Sequence, residues 1–254
     1  MNNTKLVGNG PRRVIALSGW MGGADEWGTV FDAISPDTAT FALVDYPGYG
    51  RAKSAPGPFS FARQASEVVA LADKLGWDRF VVMGHSMGGV AIQRVLLEAP
   101  QRVAGLIGIA PVPASSSRMD AARLGFFESA ISDIAVRQKI FGVSTGSRLS
   151  VAWLNKMATS TQDSIAPDAM RAYLHEWATV DFSDQVRGNP VPVQLFIGEH
   201  DPTLSAALMK DTWLSYYPNA ALEIIGNAGH YPMYEAPLSL GTRIEAFLND
   251  RIPL

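Results

Sequence analysis

Val81-Val82-Met83-Gly84-His85-Ser86-Met87-Gly88-Gly89-Val90 places a Gly-x-Ser-x-Gly between an apolar, β-branched run and a segment with helical spacing. A strand that reverses into a helix over so few residues needs glycine on both sides of the tip, because a side chain there would meet neighbouring backbone. Ser86 is then presented at the tip, exposed. It sits where a strand ends and a helix begins, the edge at which open α/β folds hold ligands and free amides favour negative charge. So short a pattern also arises by chance, and its place between strand and helix is what gives it weight.

Working outward, short apolar runs alternate with helix-length segments, the signature of a mostly parallel sheet wrapped by helices. The strands expected are 14–18, 40–45, 79–84, 103–109, 193–198 and 221–225. Helices are expected over 61–75, 88–99, 205–216 and 237–249. The first is the clearest: Phe61, Ala65, Val68, Val69, Ala72 and Leu75 recur at three and four residues and make one apolar stripe. Between the fourth and fifth strands the 80 residues from Pro111 to Pro190 far exceed an ordinary connection. They carry Phe126, Phe127, Phe141, Trp153, Met157, Tyr173 and Trp177 and are read as several helices laid over the sheet edge. Most of those aromatics are expected to hold the insertion together, the minority to line a pocket. The division expected is therefore a core of 1–110 and 191–254 with a helical cap of 111–190.

Composition narrows the function classes. The chain has 254 residues, 47% hydrophobic and 18% charged, with 23 Gly, 16 Pro and no Cys. That excludes disordered, collagen-like and disulfide-stapled chains, thiolate nucleophiles and zinc–thiolate sites. A net charge of -3 offers no basic field for nucleic acid or an anionic membrane. No apolar run approaches the ~20 residues needed to cross a bilayer, and the opening Met-Asn-Asn-Thr-Lys-Leu lacks a secretory pattern. A cytoplasmic location is expected. His-Glu-x-x-His and Gly-x-x-x-x-Gly-Lys are both missing, and Gly48-Tyr49-Gly50 reads as a turn rather than a dinucleotide fingerprint.

A serine hydroxyl needs a base, and the chain has His85, His175, His200 and His230. His85 adjoins Ser86 and is expected to pack beneath the turn. His175 lies in the insertion, on a helix surface or pocket wall, and His200 is expected to bond locally. His230, in Gly226-Asn227-Ala228-Gly229-His230-Tyr231-Pro232 after the last strand, emerges at the same edge as Ser86. The base in turn needs a carboxylate to fix its tautomer. In Gly198-Glu199-His200-Asp201-Pro202, Asp201 has cleared the strand and is pinned by Pro202, whereas Glu199 is expected to support the turn. Acyl transfer also needs oxyanion donors. The Met87 amide is one, and Ser18-Gly19-Trp20-Met21-Gly22-Gly23 after the first strand supplies the Trp20 amide as the other. Trp20, Trp153 and Tyr231 are the side chains expected against substrate.

Together these residues resemble the α/β-hydrolase fold family, in its compact branch of esterases, enol-lactonases, perhydrolase-like enzymes and C–C hydrolases. The likeness covers nearly the whole chain, through Ser18-Gly19-Trp20, Asp45-Tyr46-Pro47-Gly48-Tyr49-Gly50, Gly84-His85-Ser86-Met87-Gly88-Gly89, Gly198-Glu199-His200-Asp201 and Gly229-His230-Tyr231-Pro232 in family order. It implies a doubly wound, mostly parallel sheet of six or seven strands, with a helical cap inserted before the acid-bearing strand. It also implies Ser86 as nucleophile, His230 as base and Asp201 as orienting acid, with no cofactor. Two departures are visible. Only 13 residues precede Val14, so the usual opening antiparallel hairpin is expected to be shortened or missing. Ser18 stands where the family usually has His, which is expected to change how the loop carrying the Trp20 amide is braced. The expected activity is that of a carboxylesterase on small or medium esters. A lactonase, C–C hydrolase, or lyase or synthase on the same residues, or a non-catalytic ligand-binding protein, are the alternatives that spacing leaves open. Oligomeric state is not readable from the sequence.

Overall fold

The computed structural model describes residues 3–254, which form a seven-stranded sheet in the order β1-β3-β2-β4-β5-β6-β7. The strands are β1 (Thr4–Val7), β2 (Arg12–Leu17), β3 (Ala39–Val44), β4 (Phe80–His85), β5 (Val103–Ile109), β6 (Val193–Gly198) and β7 (Ala220–Ile225). All neighbours are parallel except β1, which pairs antiparallel with β3 from Thr4 opposite Val44 to Val7 opposite Phe41. Every residue of β3, β4 and β6 is buried, as unbroken apolar strands must be when helices cover both faces of a parallel sheet.

The helices are α1 (Phe61–Leu75), α2 (Gly88–Glu98), α3 (Ala121–Ser129), α4 (Ile134–Ser144), α5 (Val151–Gln162), α6 (Pro167–Thr179), α7 (Ser183–Val186), α8 (Ala206–Asp211), α9 (Trp213–Tyr216), α10 (Pro232–Glu235) and α11 (Pro237–Arg251). Sequence signals set the ends of α1: the Ser60 side chain accepts from the Arg63 N–H, and Gly76 closes the helix at φ 67°. Where one helix is expected over 205–216, Thr212 (φ -119°, ψ -95°) divides α8 from α9. Its hydroxyl donates to the Leu208 carbonyl at 2.6 Å, the local side-chain bond by which threonine competes with a helix. The seventh strand is β1, four half-polar residues too short to read from pattern. The stretch before β2 holds one strand among the described residues, laid antiparallel against β3. Among the described residues, no helix is long and apolar enough to cross a membrane.

Helices α3–α7 all lie between β5 and β6. Arg137 ties the first of them together while only 3% exposed. Its Nε donates to the Ala130 carbonyl at 2.6 Å and an Nη to Ile131 at 2.8 Å, so the chain leaving α3 is fastened to α4 by carbonyl acceptors rather than by a carboxylate. Such pairing removes the penalty of leaving buried carbonyls unbonded, ~1–3 kcal/mol for each. Tyr173 of α6 packs among Tyr46, Tyr49 and Phe61, with ring centroids 5.2–5.7 Å apart, and seats the helices on the core.

Candidate active site

Because β2, β4, β6 and β7 run parallel, the segments that follow them gather at one edge of the sheet. Ser86 follows β4 in the left-handed region, φ 53°, an unfavourable setting for a side chain with a Cβ. The turn is held by three backbone bonds: Ser86 N–H to Ile109 (3.0 Å), and the Ser86 carbonyl accepting from Gly89 (2.8 Å) and Val112 (2.9 Å). A Cβ on Gly88 would lie 2.5 Å from the Leu17 carbonyl oxygen, and one on Gly84 would run into the Gly88 backbone. Both glycines are therefore required by close approach, as the motif implied.

His230 and Asp201 meet across their loops. His230 Nδ1 lies 2.7 Å from Asp201 Oδ2, and the other carboxylate oxygen accepts the N–H groups of Thr203 (2.9 Å) and Leu204 (3.0 Å). The carboxylate is thus fixed on both oxygens. Burial alone would raise the Asp201 pKa, but the imidazole beside it and the two amides hold the carboxyl below its usual range. The His230 backbone is held at both its N–H and its carbonyl, and the loop two residues before it is held as well. Its N–H donates to Ser144 at the end of α4 (3.0 Å), its carbonyl accepts from His85 Nε2 (2.9 Å), and His200 N–H holds Ala228 at 2.8 Å. Gly198 allows the 228–229 backbone to lie directly against the end of β6. Glu199 instead accepts the Asn227 N–H at 3.2 Å and stiffens the turn. His175 pairs with Glu128 on the helix surface, 2.6 Å away.

His85 is buried beneath the turn, its ring 5.0 Å from that of His230 and 5.1 Å from Tyr231. Burial, aided by the neighbouring His230, depresses its pKa from near 6.5 to about 3. The folded protein therefore binds fewer protons than the unfolded chain between those values, so stability is complete above about pH 6.5 and is lost as pH falls toward 3. The expected slope is about 1.4 kcal/mol per pH unit from this residue. Urea midpoints of wild type and His85→Gln at pH 7, 6, 5 and 4 measure it: the variant should show the shallower loss, and parallel curves would refute the assignment.

The loop after β2 that carries Trp20 is braced by two tyrosines. Tyr46 Oη donates to the Ser18 carbonyl at 3.1 Å and Tyr49 Oη to the Trp20 carbonyl at 3.0 Å. Asp45 holds the far side, accepting Ala24 N–H (2.7 Å) and Arg51 N–H (3.0 Å). The turn expected at Gly48-Tyr49-Gly50 is thus also a support for the loop after β2, which its turn signal does not reveal; the signal available is two tyrosines spaced around a Pro-Gly. The backbone N–H groups of Trp20 and Met87 find no acceptor among the described residues, the condition for donors that serve a transient anion.

Ser86, His230, Trp20 and Tyr231 line one cavity of about 590 Å³ including its mouth. Ser86 Oγ makes no hydrogen bond to His230, although both side chains line this cavity. Trp153, expected against substrate, does not line the cavity. It stands one layer behind, its ring 6.0 Å from Tyr231 and 6.2 Å from Phe141, because α5 packs on the outside of α4. Phe127, Trp177, Met119 and Arg123 line the wall instead, residues that an aromatic tally of the insertion could not single out.

Known proteins are similar to this chain in sequence and in fold. A pimeloyl-(acyl-carrier protein) methyl ester esterase of Serratia marcescens is 28% identical over 260 residues, covering 96% of this chain and 96% of its own length. One of the same name from Nitrosomonas europaea is 29% identical over 248 residues, covering 92% and 94%. In solved structures, a hydrolase from Oleispira antarctica superposes with a TM-score of 0.85 at 17% identity, over 98% of this chain and 95% of that one, a likeness of fold. The family model described as the alpha/beta hydrolase fold matches residues 12–237, from β2 through the loop that carries His230, and the chain belongs to that family.

Proposed function

We propose that the protein is a serine carboxylesterase that cleaves small or medium carboxylic esters through an acyl-enzyme. The observation that carries this reading is the 2.7 Å contact between His230 and Asp201 on the wall of the cavity that Ser86 also lines. In the reaction, Ser86 Oγ attacks the ester carbonyl while His230 Nε2 takes its proton, and the oxyanion draws on the amides of Trp20 and Met87. Collapse breaks the bond to the alcohol oxygen, which leaves with the proton from His230. Water then attacks the acyl-enzyme, giving its proton to His230, and Ser86 recovers its own as the acid departs.

The methyl ester esterase relatives support a small alcohol half, and the largely apolar cavity supports a hydrocarbon acyl chain. The residues 111–190 act in this reading as a helical cap over a core of 1–110 and 191–254; Trp20 and Tyr231 contact substrate directly, while Trp153 supports Tyr231 from behind. The experiment is a stopped-flow series of p-nitrophenyl esters of rising acyl length, paired with fluorophosphonate labelling read by peptide mass spectrometry. A burst of chromophore and an adduct on Ser86 are expected. Neither appearing on folded protein would overturn the proposal.

A further inference from the structure

The loop that carries His230 is held from the helical insertion as well as from the sheet. Glu235, the last residue of α10, turns back on that loop, and its Oε1 accepts the Tyr231 N–H at 3.1 Å, immediately past His230. Its Oε2 receives Arg148 Nη1 at 3.1 Å, and Arg148 Nη2 donates to the Asn227 carbonyl at 3.3 Å, ahead of His230. One guanidinium and one carboxylate thus grip the loop on both sides of His230. Arg148 lies between α4 and α5, so the grip runs from the insertion to the segment after β7.

The end of α4 meets the same loop with its backbone. The Ser144 carbonyl accepts the His230 N–H at 3.0 Å, and a Cβ on Gly229 would lie 2.7 Å from Thr145 Cα. The stretch from Ser144 to Arg148 is itself tied down, for Gly146 N–H donates to Val143 at 3.0 Å and Ser147 N–H to Gly142 at 2.8 Å, closing the helix. Arg148 therefore reaches across from a held support.

The Glu235 side chain is 1% exposed and that of Arg148 31%. A carboxylate so buried is unfavourable unless it is paired and hydrogen-bonded. Burial raises the Glu235 pKa, opposed in turn by the N–H groups of Gly229 and Tyr231, by Arg148 and by His230. Each of these opposing groups belongs to the loop or to the side chain that ties it. Neither Arg148 nor Glu235 lines the cavity, so their effect on a reaction there runs through His230. A reacting group misplaced by about 1 Å can cost about a hundredfold in rate.

We propose that Arg148 and Glu235 are positioning residues for His230: together they fasten the loop bearing the base to the end of α4, so that the placement of the imidazole depends on the insertion. This rests on the esterase reading for its effect on rate, but not for the tether itself.

The test reads kcat and KM separately for p-nitrophenyl acetate and p-nitrophenyl hexanoate. Arg148→Met should lower kcat by roughly 10- to 100-fold on both esters while KM stays within about twofold, because the base is displaced and the cavity wall is not. Arg148→Lys should recover part of the loss, since one ammonium can hold Glu235 but not Asn227 as well. Glu235→Gln keeps an acceptor for Tyr231 and loses the charge that holds Arg148, so its kcat should fall by a similar factor. The double variant Arg148→Met/Glu235→Gln should be about as slow as the slower single one, the mark of two groups acting as a unit. Arg171→Met, which removes an exposed ion pair with Asp168 on α6, controls for disturbance of the insertion and should keep its kcat. A kcat of Arg148→Met within about twofold of wild type, a loss confined to KM, or a double variant whose loss equals the product of the single losses overturns the proposal. Should Arg148→Met fail to fold, Arg148→Lys decides: kcat lowered a few-fold at constant KM upholds the proposal, and unchanged kcat overturns it. Hydrogen exchange of residues 226–231 keeps the two readings apart. A wild type that turns over no ester sinks the esterase reading alone, and exchange then judges the tether: faster exchange in Arg148→Met upholds it, and unchanged exchange overturns it.

Discussion

Replacing Ser86 with alanine is expected to lower kcat/KM for chromogenic esters by roughly 10⁴- to 10⁶-fold, the range seen when the nucleophile of an acyl-transfer site is removed. The cavity, the paired His230 and Asp201, and the amides of Trp20 and Met87 all remain in the variant, so on the proposed reading only the group to be acylated is lost. A folding control is built into the site. Residue 86 holds φ 53°, which alanine tolerates no better than serine, whereas glycine adopts it freely. Ser86→Gly should be as inactive as Ser86→Ala yet more stable than it, by about 1 kcal/mol. Activity of Ser86→Ala within tenfold of wild type, after removal of contaminating esterase, would exclude Ser86 as the nucleophile.

Asp201→Asn is expected to reduce kcat by about 10⁴-fold with little change in KM. The reason lies in which oxygen does what. Oδ1 accepts two backbone N–H groups, from Thr203 and Leu204, so an asparagine places its oxygen there and turns its amide nitrogen toward His230 Nδ1. That nitrogen donates, which forces the bare nitrogen of the ring to face it and leaves the proton on Nε2. An imidazole already protonated on Nε2 cannot take the Ser86 proton. Glu199→Gln provides the contrast, because Glu199 supports the Asn227 amide and makes no contact with His230. Its kcat should stay within a few-fold of wild type. If instead Glu199→Gln proved the crippling change and Asp201→Asn the mild one, the acid would have to be reassigned.

Much of the core was legible because its signals are local. The Gly-x-Ser-x-Gly turn, the unbroken apolar strands and the stripe of α1 each follow from residues within one helical turn or one strand of each other. Strands β5 and β6 and helix α1 lie where their patterns predict them, at Val103–Ile109, Val193–Gly198 and Phe61–Leu75. β1 was not legible, since Thr4-Lys5-Leu6-Val7 becomes a strand only through its pairing with β3. The break at Thr212 was missed for a related reason: periodicity runs through it, and only the hydroxyl bonded back to Leu208 interrupts the helix.

The sequence by itself determined the strand-ending loops that carry Ser86, Asp201 and His230, because strands that run parallel send their carboxyl ends to one edge, so a residue just past such a strand is placed at that edge. It determined nothing comparable for the wall of the cavity. Trp153 and Trp177 are both aromatic residues on helices of the same insertion, yet one stands behind Tyr231 and the other faces the site. Which of them reaches substrate depends on how α3–α6 pack over the sheet, a matter of contacts between residues distant in the chain. Tertiary structure alone also decided that Tyr46 and Tyr49 brace the loop after β2 that carries Trp20. Local pattern fixes what a segment becomes, and only packing fixes what it faces.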